Sequence, residues 1–322
     1  MSEMNDDAAR QVPRAPRVLR VGTRTSDLAL TQAKATAQLI VDAGADSGSG
    51  SPDGLGSPGG VDMRVSGYEI VGITTRGDVD RAPLEKIGGT GLFTSAVRQA
   101  ILAGECDVAI HSAKDLPAAD HPDLAIYYPL RANPADVLCA SVPFAELPQG
   151  ARIGTGSPRR RAQLLARRPD LDVVAIRGNV PTRLARAGDD LDGVILARAG
   201  LERLGLDVGE DLDPTIMIPA AAQGALAIET ARGSEWEQIL ARVDHGPTRR
   251  EVTAERAFMR LIGAGCTTPV GVLATDSGGQ LSVRARYVDA EEHVEHEVTG
   301  PDPLDCASEL AEHFLAAGVG NR

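Results

Sequence analysis

The chain has 322 residues, a formal net charge of −12 and 43% hydrophobic residues. It is too long for one ordinary domain, and its acidic charge argues against nucleic acid or an anionic membrane as a general partner. An anionic ligand would therefore need a local cationic pocket. Residues 1–15 are polar, so no secretory signal is expected, and no apolar run of about 18 residues predicts a membrane-spanning helix.

Strands and helices are predicted to alternate along the first two thirds of the chain. Apolar runs bounded by turn residues predict strands at residues 18–23, 67–73, 106–111, 136–142, 152–155, 171–176 and 193–197. Apolar positions at helical spacing predict helices at residues 26–43, 92–103, 158–168, 181–187 and 199–204. This alternation predicts two α/β units with parallel sheets, helices on both faces and a cleft between the units.

The pattern changes after Gly246. A long amphipathic helix is predicted at residues 249–262, followed by a glycine-rich loop at residues 263–269 (Gly-Ala-Gly-Cys-Thr-Thr-Pro). Strands at residues 270–274, 280–287 and 293–299 and a last helix at 303–316 complete the chain. These elements predict a smaller C-terminal α+β domain with a mostly antiparallel sheet.

Residues 111–115 (His-Ser-Ala-Lys-Asp) follow a predicted buried strand. Ligands of open α/β sheets bind beyond the carboxyl ends of strands, so this motif is a candidate site. An ionised Asp115 beside a cation can stabilise positive charge that develops on a substrate nitrogen. The alternative is that Lys114 and Asp115 form a solvated ion pair at the end of the strand.

Residues 157–161 (Ser-Pro-Arg-Arg-Arg) have the serine cap and early proline of a helix start. Arginines are unfavourable in the first turn of a helix, so three in a row there predict a bound anion. The alternative is a solvated basic face. Residues 177–183 again follow a predicted strand and lead through a Gly-Asn turn into a helix that starts with proline. Arg177 and Arg183 in this segment could each bind a carboxylate through two hydrogen bonds. Together these motifs predict a cavity for a substrate with many carboxylates.

Cys266 lies in the glycine-rich loop, with no second cysteine near enough to form a metal or redox pair. It is either inert filler or an attachment point, and the glycines at 263 and 265 favour attachment. Residues 88–91 lack the lysine of a P-loop, and the histidines show no metal spacing, so neither a nucleotide nor a metal is expected. Reduced thiols and a cytoplasmic location are the simplest interpretation of the four scattered cysteines.

Taken together, these segments resemble the porphobilinogen deaminase (hydroxymethylbilane synthase) family. Their order and spacing match the family from about residue 18 to the C-terminus, outside the tail and one low-complexity insertion. The matching runs are residues 20–26, 75–78, 86–93, 111–115, 154–161, 177–183, 199–205, 223–225 and the Cys266 loop.

The resemblance implies two periplasmic-binding-protein-like α/β domains with a hinge cleft, plus the smaller C-terminal α+β domain. Domain 1 would comprise residues 18–131 and 221–243, with a flexible insertion at 44–66. Domain 2 would comprise residues 132–220 and domain 3 residues 244–322, after a disordered tail at 1–17.

The resemblance also implies a dipyrromethane cofactor bound to Cys266 by a thioether. Four porphobilinogen units would be joined to it head to tail with loss of ammonia, and hydrolysis would release hydroxymethylbilane. Asp115 is implied as the catalytic residue. Implied cofactor-binding residues are Lys114, Ser157, Arg159, Arg160 and Arg183. Implied substrate-binding residues are Arg24, Ser26, Thr155, Arg177, Arg203 and Gln223, and Lys86 and Thr90 would belong to a lid.

The chain departs from the family pattern at several positions. Thr90 stands where the family has a second lysine, Gly156 where a serine is common and Pro158 where a leucine is common. These changes bear on the charge of the lid and on individual hydrogen bonds, not on the reaction class. The alternative function is a cytoplasmic two-lobed sensor for a carboxylate ligand. Nothing in the sequence demands more than a monomer or a partner beyond a small molecule.

Overall fold

The computed structural model describes residues 16–45, 63–75, 94–265 and 268–320. Residues 1–15 of the predicted tail, most of the insertion at 44–66, Lys86, Thr90 and Cys266 lie outside these ranges, so the predictions made for them stay predictions. The tail was predicted to extend to residue 17, but Arg17 already belongs to the first strand.

Strands and helices alternate as the sequence pattern predicts. The described strands are β1 (Arg17–Arg24), β2 (Val65–Ile73), β3 (Val108–Ser112), β4 (Leu124–Tyr127), β5 (Asp136–Ala140), β6 (Arg152–Gly154), β7 (Asp172–Val174), β8 (Gly193–Ala197), β9 (Glu210–Leu212), β10 (Leu226–Ala231), β11 (Val270–Ser277), β12 (Gln280–Val288) and β13 (His293–Gly300). The described α-helices are α1 (Asp27–Ala45), α2 (Ser95–Leu102), α3 (Pro158–Arg167), α4 (Val180–Leu184), α5 (Arg198–Arg203), α6 (Glu237–Val243), α7 (Gly246–Leu261) and α8 (Pro303–Ala316).

Two five-stranded sheets carry the first two thirds of the chain. The first sheet has the order β2-β1-β3-β10-β4 and the second sheet the order β7-β6-β8-β5-β9. Apolar side chains of β1 and β3 pack against α1 and α6 in the first unit, with Leu19, Val21 and Val108 fully buried. Two α/β units and a smaller C-terminal unit confirm the predicted fold class.

The sequence pattern predicts parallel sheets, but both sheets are mixed. Strands β1, β2 and β3 are parallel, but β10 runs antiparallel to both β3 and β4. In the second sheet β5 runs antiparallel to β8 and β9. Each antiparallel strand follows a segment that enters from the other sheet, so its direction is not set by a local strand–helix–strand crossover.

The C-terminal unit is a three-stranded antiparallel sheet, β11-β12-β13, covered by two helices. Its core closes around Phe258 of α7 and Phe314 of α8, whose rings meet edge to face with centroids 5.1 Å apart. The sequence pattern predicts this unit in every element. Among the described residues, none of the helices has the length and apolar character needed to cross a bilayer.

The chain passes twice between the first two sheets, at residues 128–135 and 213–225. These two crossover segments bind each other: Arg131 Nε donates to the Gln223 carbonyl at 2.9 Å, and the Ala132 N–H donates to the Gly224 carbonyl at 3.3 Å. Gly224 has a φ of 86°, and a Cβ there would lie 2.4 Å from the Ala132 oxygen. Only glycine fits this close approach.

Helix α7 connects the crossover segments to the third sheet. The buried Glu255 accepts hydrogen bonds from Arg131 Nη1 at 2.8 Å and from the Ala274 N–H of β11 at 2.8 Å. It also accepts one from the Ala222 N–H in the second crossover segment. One carboxylate therefore contacts both crossover segments and the C-terminal unit.

Candidate active site

Two adjoining cavities, of about 170 Å³ and 370 Å³, lie between the units of the first two sheets, and the larger of them also borders the C-terminal unit. We call them the smaller and the larger cavity. Both are lined by Lys114, Asp115, Arg160 and Arg183. The smaller cavity continues along the carboxyl ends of β1 and β3, and the larger one reaches α7 and the loop after it. This is the edge of the sheet where ligands of such folds bind.

Asp115 and Lys114 stand on a 3₁₀ turn directly after β3. Lys114 Nζ lies 3.4 Å from Gln223 Oε1, so it reaches the second crossover segment. The Lys114 side chain has much accessible surface, but protein surrounds it within the cavities. Lost hydration, followed by the charges of Arg160 and Arg159, lowers its pKa to about 8, although Asp115 and Asp136 act in the opposite direction.

Arg159 and Arg160, predicted from the helix start, are joined by a residue that the sequence pattern did not indicate. Asp136, the first residue of β5, is fully buried and accepts from Arg159 Nη1 at 2.7 Å and from Arg160 Nε at 2.9 Å. Burial would raise the pKa of Asp136, but the two guanidinium groups lower it below its ordinary value. No sequence signal links it to arginines more than twenty positions away in the chain.

The third arginine of the helix start does not join them. Arg161 donates to the Val173 carbonyl and lines a separate groove with Glu292 and neighbouring residues. Successive residues on a helix point in different directions, so three consecutive arginines cannot all face one cavity. The prediction that all three arginines face one anion site was therefore wrong for Arg161.

Most of the remaining predicted residues line one of the cavities. Ser157 caps α3, with its Oγ 3.4 Å from the Arg160 N–H, and lines the larger cavity. Arg183 lines both cavities, and burial, followed by the charges of Arg160 and Arg177, lowers its pKa. The predicted residues that line the smaller cavity are Arg24, Ser26, Lys114, Asp115, Arg160, Arg183 and Arg203.

Three predicted residues have different surroundings. Thr155 is buried, accepts from the Ser157 N–H at 3.2 Å and lines neither cavity. Arg177 is exposed near Arg183 and also lines neither cavity. Gln223 is buried, lines the larger cavity and donates through Nε2 to Asp136 Oδ1 at 2.9 Å. Their assignment as substrate-binding residues stays a prediction.

The residues on either side of Cys266 line the larger cavity. Gly265 and Thr268 both border it, and they are tied to each other because the Gly265 N–H donates to Thr268 Oγ1 at 3.0 Å. Cys266 itself lies outside the described residues. The ends of its loop thus meet the same cavity as Asp115.

A buried network supports the floor of the smaller cavity. Glu229 on β10 pairs with Arg98 Nη2 at 2.6 Å, and His111 Nε2 lies 3.3 Å from its other oxygen, outside good hydrogen-bond geometry. Burial raises the pKa of Glu229, but His111 and Arg98 hold it at about 2. Sequence reasoning missed both Arg98 and Glu229, since neither belongs to a recognisable motif.

Charge decides what the larger cavity can bind. Among the described residues lining it, the only carboxylate is Asp115, whereas five side chains are cationic. The cations are Lys114, Arg159, Arg160, Arg183 and Arg256. This donor set fits a ligand with several carboxylates, such as a dipyrromethane with acetate and propionate side chains.

Two family models match the chain. Residues 19–238 match "Porphobilinogen deaminase, dipyromethane cofactor binding domain" and residues 249–316 match "Porphobilinogen deaminase, C-terminal domain". The chain belongs to the porphobilinogen deaminase family. Membership confirms the resemblance found in the sequence and assigns a dipyrromethane cofactor to this chain, and it does not favour the sensor alternative.

Individual relatives agree with this assignment. A porphobilinogen deaminase of Leifsonia xyli is 45% identical over 83% of this chain and 78% of its own length. One from Acidothermus cellulolyticus is 42% identical over 94% of this chain and 90% of its own. Among solved structures, the periplasmic VFT2 domain of Bordetella pertussis BvgS covers 70% of this chain and 85% of its own, with 16% identity and a TM-score of 0.34. That score is too low to support any further argument.

Proposed function

We propose that this chain is a transferase that joins four porphobilinogen molecules head to tail, releases ammonia at each step and finally releases linear hydroxymethylbilane. The observation that carries this proposal is the larger cavity. There Asp115 stands among five cationic side chains, and the residues flanking Cys266 border the same space.

The cofactor-binding role is proposed for the cationic wall. Cys266 would form the thioether to dipyrromethane, and Lys114, Ser157, Arg159, Arg160 and Arg183 would bind its carboxylates. When bound, dipyrromethane supplies the pyrrole carbon at which the chain is extended. Four of these five side chains are cations, and all five line the larger cavity, which supports the assignment.

Asp115 is proposed as the catalytic residue. When the C–N bond of porphobilinogen breaks and ammonia leaves, positive charge spreads over the pyrrole nitrogen of that substrate. A carboxylate fixed on the turn after β3 stabilises this charge without reorganising.

The smaller cavity is proposed to hold the incoming substrate and part of the growing chain. Its lining includes Arg24, Ser26 and Arg203. Each added unit brings two carboxylates, so the bound product becomes more anionic at every step and needs further cations along its path. Gln223, which lines the larger cavity, and Arg177, which lies near Arg183, are proposed to bind the product as well, and Thr155 supports the turn before α3. Lys86 and Thr90 are proposed to belong to a lid.

The test is Asp115→Asn. Ammonia release from porphobilinogen should fall by about 10²–10³-fold, because the oriented negative charge is lost. Intact mass should still reveal the dipyrromethane addition, at least in part, and Cys266→Ser should lack it. The matched control is Asp244→Asn, which removes a carboxylate that pairs with Arg249, since neither of these two residues lines a cavity. Near-normal ammonia release by Asp115→Asn would refute the role proposed for Asp115.

The setting proposed is a monomer in the cytoplasm with porphobilinogen as its small-molecule partner. Free thiols at the three cysteines of the described residues support a reducing compartment. Light scattering coupled to size-exclusion chromatography would measure the mass in solution, and a dimer mass would contradict this part of the proposal.

A further inference from the structure

Asp136 lies behind the cationic wall and contacts the larger cavity only through other side chains. Its two oxygens accept hydrogen bonds from Arg159 Nη1 at 2.7 Å, Arg160 Nε at 2.9 Å and Gln223 Nε2 at 2.9 Å. Arg160 Nη2 also lies 2.7 Å from Asp136 Oδ1. The carboxylate is fully buried and does not line either cavity.

Asp136 contacts the guanidinium groups of Arg159 and Arg160 at different edges. Arg159 uses Nη1 twice, donating to Asp136 Oδ2 and to the Ile218 carbonyl, both at 2.7 Å. Within the part of the chain that the structure describes, its Nε and Nη2 have no acceptor, although the side chain is only 4% exposed. Since Arg159 lines the larger cavity, this Nε–Nη2 edge is available there as a pair of parallel donors.

Arg160 presents the opposite arrangement. Its Nε and Nη2 both face Asp136, and its Nη1 donates to the Ile195 carbonyl at 2.9 Å. The Nε–Nη2 edge is therefore free to bind a ligand in Arg159, whereas in Arg160 the same edge binds Asp136. Two adjacent arginines with the same net charge thus offer different donor geometry to a carboxylate.

We propose that Asp136 is a positioning residue that holds Arg159 by Nη1, so that the Nε–Nη2 edge of Arg159 acts as a bidentate anchor for one carboxylate of the cofactor. Arg160 is held by its own Nε–Nη2 edge and contributes charge and single hydrogen bonds. This inference rests on the proposed function, in which the wall binds a polycarboxylate.

If Asp136 acted only as a counter-charge for the arginines, its mutation would change anion binding in the opposite direction. Asp136→Asn removes one negative charge next to the cavity, so electrostatics alone would tighten the binding of an anion. If Asp136 positions Arg159, binding becomes weaker, because the amide NH₂ of asparagine cannot accept from a guanidinium and one arginine loses its support.

The experiment is a double-mutant cycle on cofactor loading. Protein freed of cofactor is incubated with porphobilinogen, and intact mass records how fast the dipyrromethane adds to wild type, Asp136→Asn, Arg159→Lys and the double variant. We expect Asp136→Asn to load about tenfold more slowly, because small misplacements of an oriented group have large effects. In the Arg159→Lys background the same change should matter less than about twofold, because the residue through which Asp136 acts is already altered.

Two outcomes would overturn the proposal: faster loading of Asp136→Asn, or equal effects of that change in both backgrounds. The matched control is Asp244→Asn, which loses a bidentate contact to Arg249 but does not line either cavity. It should load at the wild-type rate, since a general loss of stability does not slow loading in folded protein.

A second comparison applies even if Asp136→Asn does not fold. Arg159→Lys should slow loading more than Arg160→Lys, because only Arg159 presents a bidentate edge to the cavity, and equal losses would contradict the proposal. Failure of the proposed function is distinguishable, because wild type would then gain no mass from porphobilinogen.

Discussion

At the scale of single residues, Lys114 offers a direct test of the electrostatics of the site. The chain has only three lysines, Lys34, Lys86 and Lys114, so ¹³Cε labelling gives three lysine signals, and Lys114→Arg identifies the one of interest. In Cys266→Ser protein we expect this signal to titrate near pH 8, below the ordinary value of 10.5.

Removing the negative charge of Asp115 tests whether that carboxylate acts on the pKa of Lys114. Asp115 raises the pKa of Lys114, so Asp115→Asn should move the titration to lower pH. Between about pH 8 and 10.5 the unfolded chain binds more protons at this lysine than the folded chain, so its contribution makes stability rise with pH in that window. A titration that stays in place in Asp115→Asn would contradict the proximity of the two groups.

Local sequence motifs indicated which residues line the cavities. The turn after β3 and the start of α3 both follow strands, so Lys114, Asp115, Arg159 and Arg160 could be found from local pattern. Asp136 could not, because the side chains it joins belong to other elements and its own strand reads as ordinary buried sheet. Contacts across tertiary structure leave no local pattern.

At the scale of elements, the turn at Gly224 should tolerate no side chain. Gly224→Ala combines a φ of 86° with a Cβ 2.4 Å from the Ala132 oxygen. We expect it to lower the free energy of unfolding by about 2–4 kcal/mol, measured by urea denaturation. Gly233→Ala is the control, because Gly233 has a φ of 80° but open space around its Cα, so only about 1 kcal/mol should be lost. Equal losses in the two variants would show that the close contact between residue 224 and Ala132 does not contribute to the free energy of unfolding.

Element prediction failed mainly at short strands. The pattern alone predicts no strand at β4, β9 or β10. Strand β9 spans three residues, Glu210–Leu212, and only Leu212 of them is buried, so it has no alternation to detect. Strand β10 (Leu226–Ala231) is nearly all buried because it lies inside the first sheet, between β3 and β4. Short buried runs do not distinguish a strand from a helix.

At the scale of the whole molecule, Glu255 should couple the three units. Glu255→Gln removes the closer and fully buried of the two carboxylates that pair with Arg131, so we expect a loss of about 3–5 kcal/mol in the free energy of unfolding. In calorimetry, the C-terminal unit should then unfold as a separate transition, since its bond from Ala274 is weakened as well.

Glu251→Gln is the matched control for this change. Glu251 lies on the same helix and reaches Arg131 Nη1 only at 3.5 Å, with a side chain 16% exposed. Its loss should be about 1 kcal/mol or less, with one unfolding transition. Equal losses in both variants would show that general charge on α7, rather than the buried pair, stabilises the junction.

The position of β10 has a consequence for how the polypeptide is made. β10 lies between β3 and β4, so β4 has no neighbouring strand until residue 231 has been synthesised. The second sheet uses only residues 136–212, which leave the ribosome earlier. During synthesis, all strands of the second sheet are therefore available before the last strand of the first sheet, so the unit that contains β1 is the later of the two whose sheet can be completed.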